Sequence, residues 1–233
     1  IGNLLEAEDI DTVGVEVVEN FSWKQLVDLD ACTVCGRCTS VCPANLTGKP
    51  LDPREIILKV GQVMSESGSP AVPATVSTPI DLQFKTSNVF ERITSEELWA
   101  CTSCRACDEV CPVNIEILDK ILDMRRHLAL MASDFPSELG KAYVAMENSS
   151  NPWGASQNDR MKWSEGLEFE VPMLGEENKE EVEYLYWVGC AGAFDDRNVP
   201  VTKAVATLLK RAGVSYAVLG PKEVCTGDSA RRT

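Results

Sequence analysis

Histidine is all but missing: His127 is the only one in 233 residues. No Ser/His/Asp arrangement for nucleophilic catalysis is legible. Neither a G-x-G-x-x-G turn nor a G-x-x-x-x-G-K-[ST] loop occurs, so nothing marks a nucleotide or flavin pocket. Basic residues are scarce as well. Lys and Arg total 22 against 36 Asp and Glu, a net charge of -14. That balance argues against nucleic acid, whose phosphates call for a Lys/Arg surface. No uncharged apolar run approaches the roughly 18 residues of a membrane-spanning helix. The longest, Tyr184 to Phe194, contains two glycines. The acidic start lacks the basic region of a signal peptide, and Ile1 in place of Met points to a piece of something longer.

What is present is a globular composition, 44% apolar, with room for a sizeable core. The acid surplus is localised. Residues 1–31 hold eight acids and one lysine, and residues 165–183 hold the same numbers. These are solvated segments, or docking surfaces for a basic partner.

Ten cysteines carry the chemistry. Eight fall into two copies of one pattern. The first is Cys32-x-x-Cys35-x-x-Cys38-x-x-x-Cys42-Pro43, and the second is Cys101-x-x-Cys104-x-x-Cys107-x-x-x-Cys111-Pro112. Two-residue gaps let one tight loop aim three thiolates at three irons of a cube. In such runs the fourth cysteine serves the other cluster. The pattern therefore predicts two [4Fe-4S] clusters. Cluster 1 takes Cys32, Cys35, Cys38 and Cys111; cluster 2 takes Cys101, Cys104, Cys107 and Cys42. The proline ends each loop and fixes the backbone where the fourth ligand leaves. Small residues such as Gly36 and Ala106 let amides approach the sulfurs. Zinc fits poorly, because its sites use cysteine pairs and the third cysteine of each triplet would be surplus.

Along the chain, residues 1–31 read as an acidic lead-in ending in a short amphipathic helix, Phe21 to Leu29. Pro53 opens a helix over Arg54 to Met64 with Ile56, Ile57, Val60 and Val63 on one face. Ser65 to Pro79 reads as a loop. A short helix capped by Ser95 leads into Cys101, and a long one runs from about Ile115 to Met131. Its apolar face is Ile115, Leu118, Ile121, Leu122 and Leu128. Arg125, Arg126 and His127 are expected on its exposed side. Residues 32–133 thus form a helical tandem 4Fe-4S domain, and residues 134–182 an irregular linker. In residues 183–233 the pattern becomes a buried strand from Glu183, a helix over Val199 to Ala212 and a second strand, "VSYAVLG". This is a first β-α-β unit, which cannot bury both faces of a sheet alone. The fold class is α+β.

Cys190 and Cys225 each follow one of these strands, at the carboxyl end where α/β sheets place their sites. They are structural cysteines or candidate ligands.

The spacing of the two motifs resembles the α-helical ferredoxin module of respiratory complexes. With "DLDACTVCGRCTSVCPANLTGKPL" and "YWVGCAGAFDDR", the whole chain resembles heterodisulfide-reductase-like iron–sulfur oxidoreductases with a cysteine-rich (CCG) domain. It looks closest to the membrane-associated type that passes electrons to quinone, some from electron transfer flavoprotein. The resemblance implies a flavoprotein donor, a quinone or membrane partner, and a cytoplasmic location at the inner face of the membrane. It also implies a third centre, candidates Cys190, Cys225 and Asp228. The family's paired cysteines here become Cys225-Thr226, so a site needing both thiolates cannot form in the usual way. The expected role is relaying electrons through the two clusters. One rival is disulfide or quinone reduction at Cys190/Cys225; another is clusters that only hold the fold.

Overall fold

The computed structural model describes residues 12–67, 87–175, 178–179 and 182–232. It is helix-rich with few strands, and it divides into two compact units, Ile1–Phe135 with Arg232–Thr233, and Pro136–Arg231. Residues 1–11 of the acidic lead-in, and most of the loop expected over Ser65 to Pro79, lie outside the described residues.

The first unit is built from helices α1 (Trp23–Ala31), α2 (Arg37–Val41), α3 (Pro43–Leu46), α4 (Pro53–Glu66), α5 (Ser95–Trp99), α6 (Ala106–Glu109) and α7 (Ile117–Leu130). Ser22 caps α1, accepting from the Gln25 amide. Asp52 caps α4, with Pro53 at its first turn as the sequence predicts. Ile56, Ile57, Val60 and Val63 are buried on α4, each stabilising the fold by roughly 1.5–3 kcal/mol. They share a core with Leu29 of α1, Leu98 of α5 and Ile121 of α7. The cap of α5 is Thr94, not Ser95. Its hydroxyl accepts from the Glu97 amide, and Glu97 reaches back to the Thr94 amide, closing a capping box.

Two residues of α7 lie elsewhere than the sequence suggests. Arg125 and His127 are buried, 4% and 8% exposed. Arg125 lies in register with the apolar stripe Leu118, Ile121 and Leu128, at the i, i+3, i+7, i+10 positions of one helix face. His127 is covered because residues 14–16 lie along the helix. The Val15 amide donates to the Asp123 carbonyl at 3.0 Å, and Phe90 stacks on the imidazole.

In the second unit, α8 (Ser137–Ser149) is a helix where the composition reads as irregular chain. It buries none of its residues, so it leaves no apolar stripe to read. A 3-10 segment, Gln157–Ser164, follows. Strands β1 (Tyr184–Leu185) and β2 (Tyr216–Ala217) pair in parallel, Tyr184 opposite Tyr216 and Leu185 opposite Ala217. Helices α9 (Gly189–Phe194) and α10 (Val199–Arg211) connect them. The first strand is exposed rather than buried, because it is an edge. The chain at β2 has a neighbour on its other side as well, a parallel bridge of Val218 with Met173. Trp163, Val171, Ala193, Ala206, Tyr216 and Val218 form this unit's core. A last short helix, α11, spans Asp228–Arg231.

Candidate iron–sulfur centres

Each cysteine run folds as a loop followed by a short helix. Cys32 caps the end of α1, α2 carries Cys38, and Cys42 stands between α2 and α3. In the second copy Cys101 follows α5, and α6 carries Cys107. The backbone repeats along with the sequence. The residues on either side of the second cysteine are left-handed in both copies: Val34 (φ 54°) and Gly36 (φ 75°), then Ser103 (φ 55°) and Arg105 (φ 62°). Gly36 adopts this freely. For β-branched Val34 it costs about 1–2 kcal/mol, held here by the loop. The reversals turn amides toward sulfur. The Ser103 amide donates to Cys101 Sγ, and the Ile115 amide to Cys111 Sγ, both at 3.4 Å.

The thiols gather in two sets. Cys32, Cys35, Cys38 and Cys111 line one cavity, whose empty space including its mouth is about 360 Å³. Cys101, Cys104, Cys107 and Cys42 line another of about 320 Å³. The fourth cysteine of each run thus faces the triplet of the other. Among the described residues, no three Cys, His, Asp or Glu side chains converge as a single ion would need. The eight thiols surround volumes, as a cube with one thiolate per iron requires. The donor set fits two [4Fe-4S] groups.

Helix N-termini brace both loops. Asp108, beside Cys107, accepts from the Ile117 and Leu118 amides at 2.8 and 3.1 Å. In the first copy Thr39, beside Cys38, donates to Asp52 at 2.6 Å, and Asp52 caps α4. Burial pushes the Cys38 and Cys101 thiols up, and Cys107 further still, with the Asp108 carboxylate adding to it. The Arg37 amide holds exposed Cys35 down. Buried thiols of this kind give up their protons to a metal, not to water.

Arg125, which the sequence reading placed at the surface, anchors the second loop. Nε and Nη2 donate to the Leu98 carbonyl at 3.0 and 2.6 Å, and Nη2 also to the Cys101 carbonyl at 2.5 Å. Nη1 reaches Ser103 Oγ at 3.4 Å, and the guanidinium sits 5.0 Å over the Trp99 ring. Its place on the apolar stripe of α7 is the sequence signal that could have found it.

In the second unit Cys190 and Cys225 are close enough to influence each other electrostatically, and burial pushes the Cys190 thiol up. Cys190 Sγ accepts from Arg160 Nη2 at 3.2 Å. Arg160 pairs with Glu223 at 3.0 Å, each side chain 1% exposed. The Glu223 oxygens accept the Gly189 and Val188 amides at 2.7 and 3.1 Å. Cys225 Sγ lies 3.9 Å from Met146 Sδ and accepts from the Gly227 amide at 3.4 Å. Asp228 opens α11. Arg160 and Met146 were not legible as site residues because they come from the segment read as linker, and Glu223 because it follows the second strand outside any motif.

Comparison with known proteins defines the class. Residues 31–116 match the family described as a 4Fe-4S dicluster domain. The chain is 39% identical to the probable iron-sulfur-binding oxidoreductase FadF of Bacillus subtilis, over 97% of its own length and 36% of that protein's. It is also 39% identical to an EtfAB:quinone oxidoreductase of Syntrophomonas wolfei, covering 97% of this chain and 34% of that one. A dihydromethanophenazine:CoB--CoM heterodisulfide reductase polypeptide of Methanosarcina barkeri is 28% identical over 92% of this chain and 49% of its own. The chain is a homologue of the heterodisulfide-reductase-like iron–sulfur oxidoreductases, as its motifs suggest. It spans about a third of the length of the first two relatives.

Proposed function

We propose that this chain is the electron-relaying portion of a larger oxidoreductase, holding two [4Fe-4S] clusters between a flavoprotein donor and a quinone acceptor at the membrane. The observation that carries the reading is the pair of four-thiol cavities, each completed by the other run's last cysteine. A bound cluster supplies a reversible one-electron store. The residues of this chain hold it, exclude water and set its potential. Cys32, Cys35, Cys38 and Cys111 hold one cluster; Cys101, Cys104, Cys107 and Cys42 hold the other. Exposed Cys35 and Cys104 leave each site an edge open to a partner. The donor and acceptor are argued from the relatives' names, an EtfAB:quinone oxidoreductase among them. Among the described residues no helix is long and apolar enough to cross a membrane, so membrane attachment would come through other segments or partners. On this reading residues 183–233 are the first β-α-β unit of a CCG-like domain, joined to the ferredoxin portion by residues 134–182.

The test is iron and sulfide counting with reduced-state EPR on anaerobically prepared full-length protein. About eight irons are expected. In a variant lacking Cys32, Cys35 and Cys38, about four irons survive; adding Cys42→Ala removes them, and adding Cys111→Ala does not. The reverse pattern would sink the ligand exchange, and zinc in place of iron would sink the electron-transfer reading. Clusters that cannot be reduced reversibly would leave only a structural role.

A second reading places a third centre at Cys190, Cys225 and Asp228. Arg160 argues against it: its buried guanidinium already occupies the Cys190 sulfur, and Thr226 stands where the family has a second thiol. About twelve irons, falling to eight in a Cys190→Ala, Cys225→Ala protein, would establish it.

A further inference from the structure

We infer that Arg125 is the potential-setting residue of the second cluster site, a buried cation at a position that glycine, Gly61, holds in the first site. This deepens the electron-relay reading and rests on it.

The two sites are copies, so they can be laid on each other. On α4, Arg54 and Ile57 line the first cavity; on α7, Leu118 and Ile121 line the second. That register places Arg125 opposite Gly61. A second landmark gives the same register. Arg125 donates to the carbonyl of Leu98, three residues before Cys101. A Cβ added at Gly61 would meet the Cβ of Leu29, three residues before Cys32, at 3.7 Å. Where one copy packs a bare backbone against this leucine, the other inserts a guanidinium.

That guanidinium is buried and bonded to the loop that carries the ligands, through the carbonyls of Leu98 and Cys101 and the hydroxyl of Ser103. Through the Cys101 carbonyl it is held against the backbone of one of the thiol-bearing residues. Reduction adds one negative charge to a cluster. A nearby cation in a medium of low dielectric favours the reduced form, and hydrogen bonding and burial are the protein's levers on potential. Arg105, paired with Asp119, and Asp108 also face this site. They are unchanged in an Arg125 variant, so the substitution isolates one charge.

The experiment is potentiometric EPR on loaded full-length protein carrying Arg125→Gln or Arg125→Lys, with iron counted in each. Arg125→Gln should make one cluster harder to reduce, by at least tenfold in the reduced-to-oxidised ratio at fixed potential, which is 59 mV for one electron. The other cluster should not move. In the protein lacking Cys32, Cys35 and Cys38, the surviving cluster should show that shift. Arg125→Lys keeps the charge without the three-way bonding, and should stay within that tenfold. Full iron with unshifted potentials, or equal shifts at both clusters, overturns the inference and leaves the relay reading standing. If Arg125→Gln loses iron, the lysine variant decides, and a shift beyond tenfold there assigns the role to geometry, not charge. Fewer than about eight irons in the parent protein is a failure of the relay reading itself.

Discussion

Replacing Glu223 by Gln should destabilise the second unit severely, although the side chains are nearly the same size. Glu223 and Arg160 are each 1% exposed and face each other at 3.0 Å. One carboxylate carries three duties: it balances Arg160 and accepts the amides of Val188 and Gly189 at the entry to α9. Glutamine offers one acceptor oxygen and one amide nitrogen. Whichever way it turns, its NH2 group meets an N–H donor, and the guanidinium is left as a buried charge without its counter-ion. Breaking a buried pair from one side costs about 3–5 kcal/mol, a large part of the roughly 5–15 kcal/mol that holds a domain together. At 1.36 kcal/mol per tenfold, opening of this unit should rise by about two to nearly four decades. Hydrogen exchange read by mass spectrometry on peptides covering residues 157–164 and 186–194 would measure it. Cys190, which accepts from Arg160, should become more accessible to alkylation in step as the unit opens. Removing both charges as Arg160→Met, Glu223→Leu should recover part of the loss, because apolar substitution of a buried pair is often tolerated. A cost under about 1 kcal/mol for Glu223→Gln would refute the reasoning, since only a solvated pair is worth so little.

How much of this could be read in advance follows from how each feature announces itself. The cysteine runs declared the two four-thiol cavities, because metal chemistry constrains residue type and spacing together. Helix α4 was legible because Pro53 marks its start and four apolar residues its buried face. Arg125 and His127 were misplaced on the assumption that charge means surface. Arg125 is buried because it serves backbone carbonyls, and His127 because residues distant in sequence cover it. The cap of α5 was missed by one residue: Thr94 and Ser95 can each cap, and only Thr94 has Glu97 three positions on. Helix α8 was invisible since it buries nothing. The β1 sequence looked like a buried strand, yet it is exposed and pairs on one side only in the described residues. Arg160 and Glu223 meet across 63 residues of chain, and no local pattern announces such a pair.

Two further outcomes test the packing of the first unit. Gly14→Ala should cost well over 1 kcal/mol in urea unfolding: at φ 75° the residue already favours glycine, and an added Cβ would collide with the Asp123 carbonyl and the His127 amide. Wild-type stability in that substitution would mean residues 14–16 do not lie on α7. The last concerns acid. Burial works against the Glu97 carboxylate, but Lys59 and the Thr94 amide and hydroxyl outweigh it, so its folded pKa lies below the ordinary value. A depressed pKa means the folded state resists protonation more than the unfolded chain does. The stabilisation is therefore complete above the unfolded pKa, near 4.3 for glutamate, and drains away as pH falls through the lower folded value. Glu97→Gln should remove that contribution at neutral pH and flatten the acid limb of a stability-versus-pH curve, with Lys59→Met doing so in part. Parallel curves for wild type and Glu97→Gln below about pH 5 would show that the capping box and its lysine contribute nothing through charge.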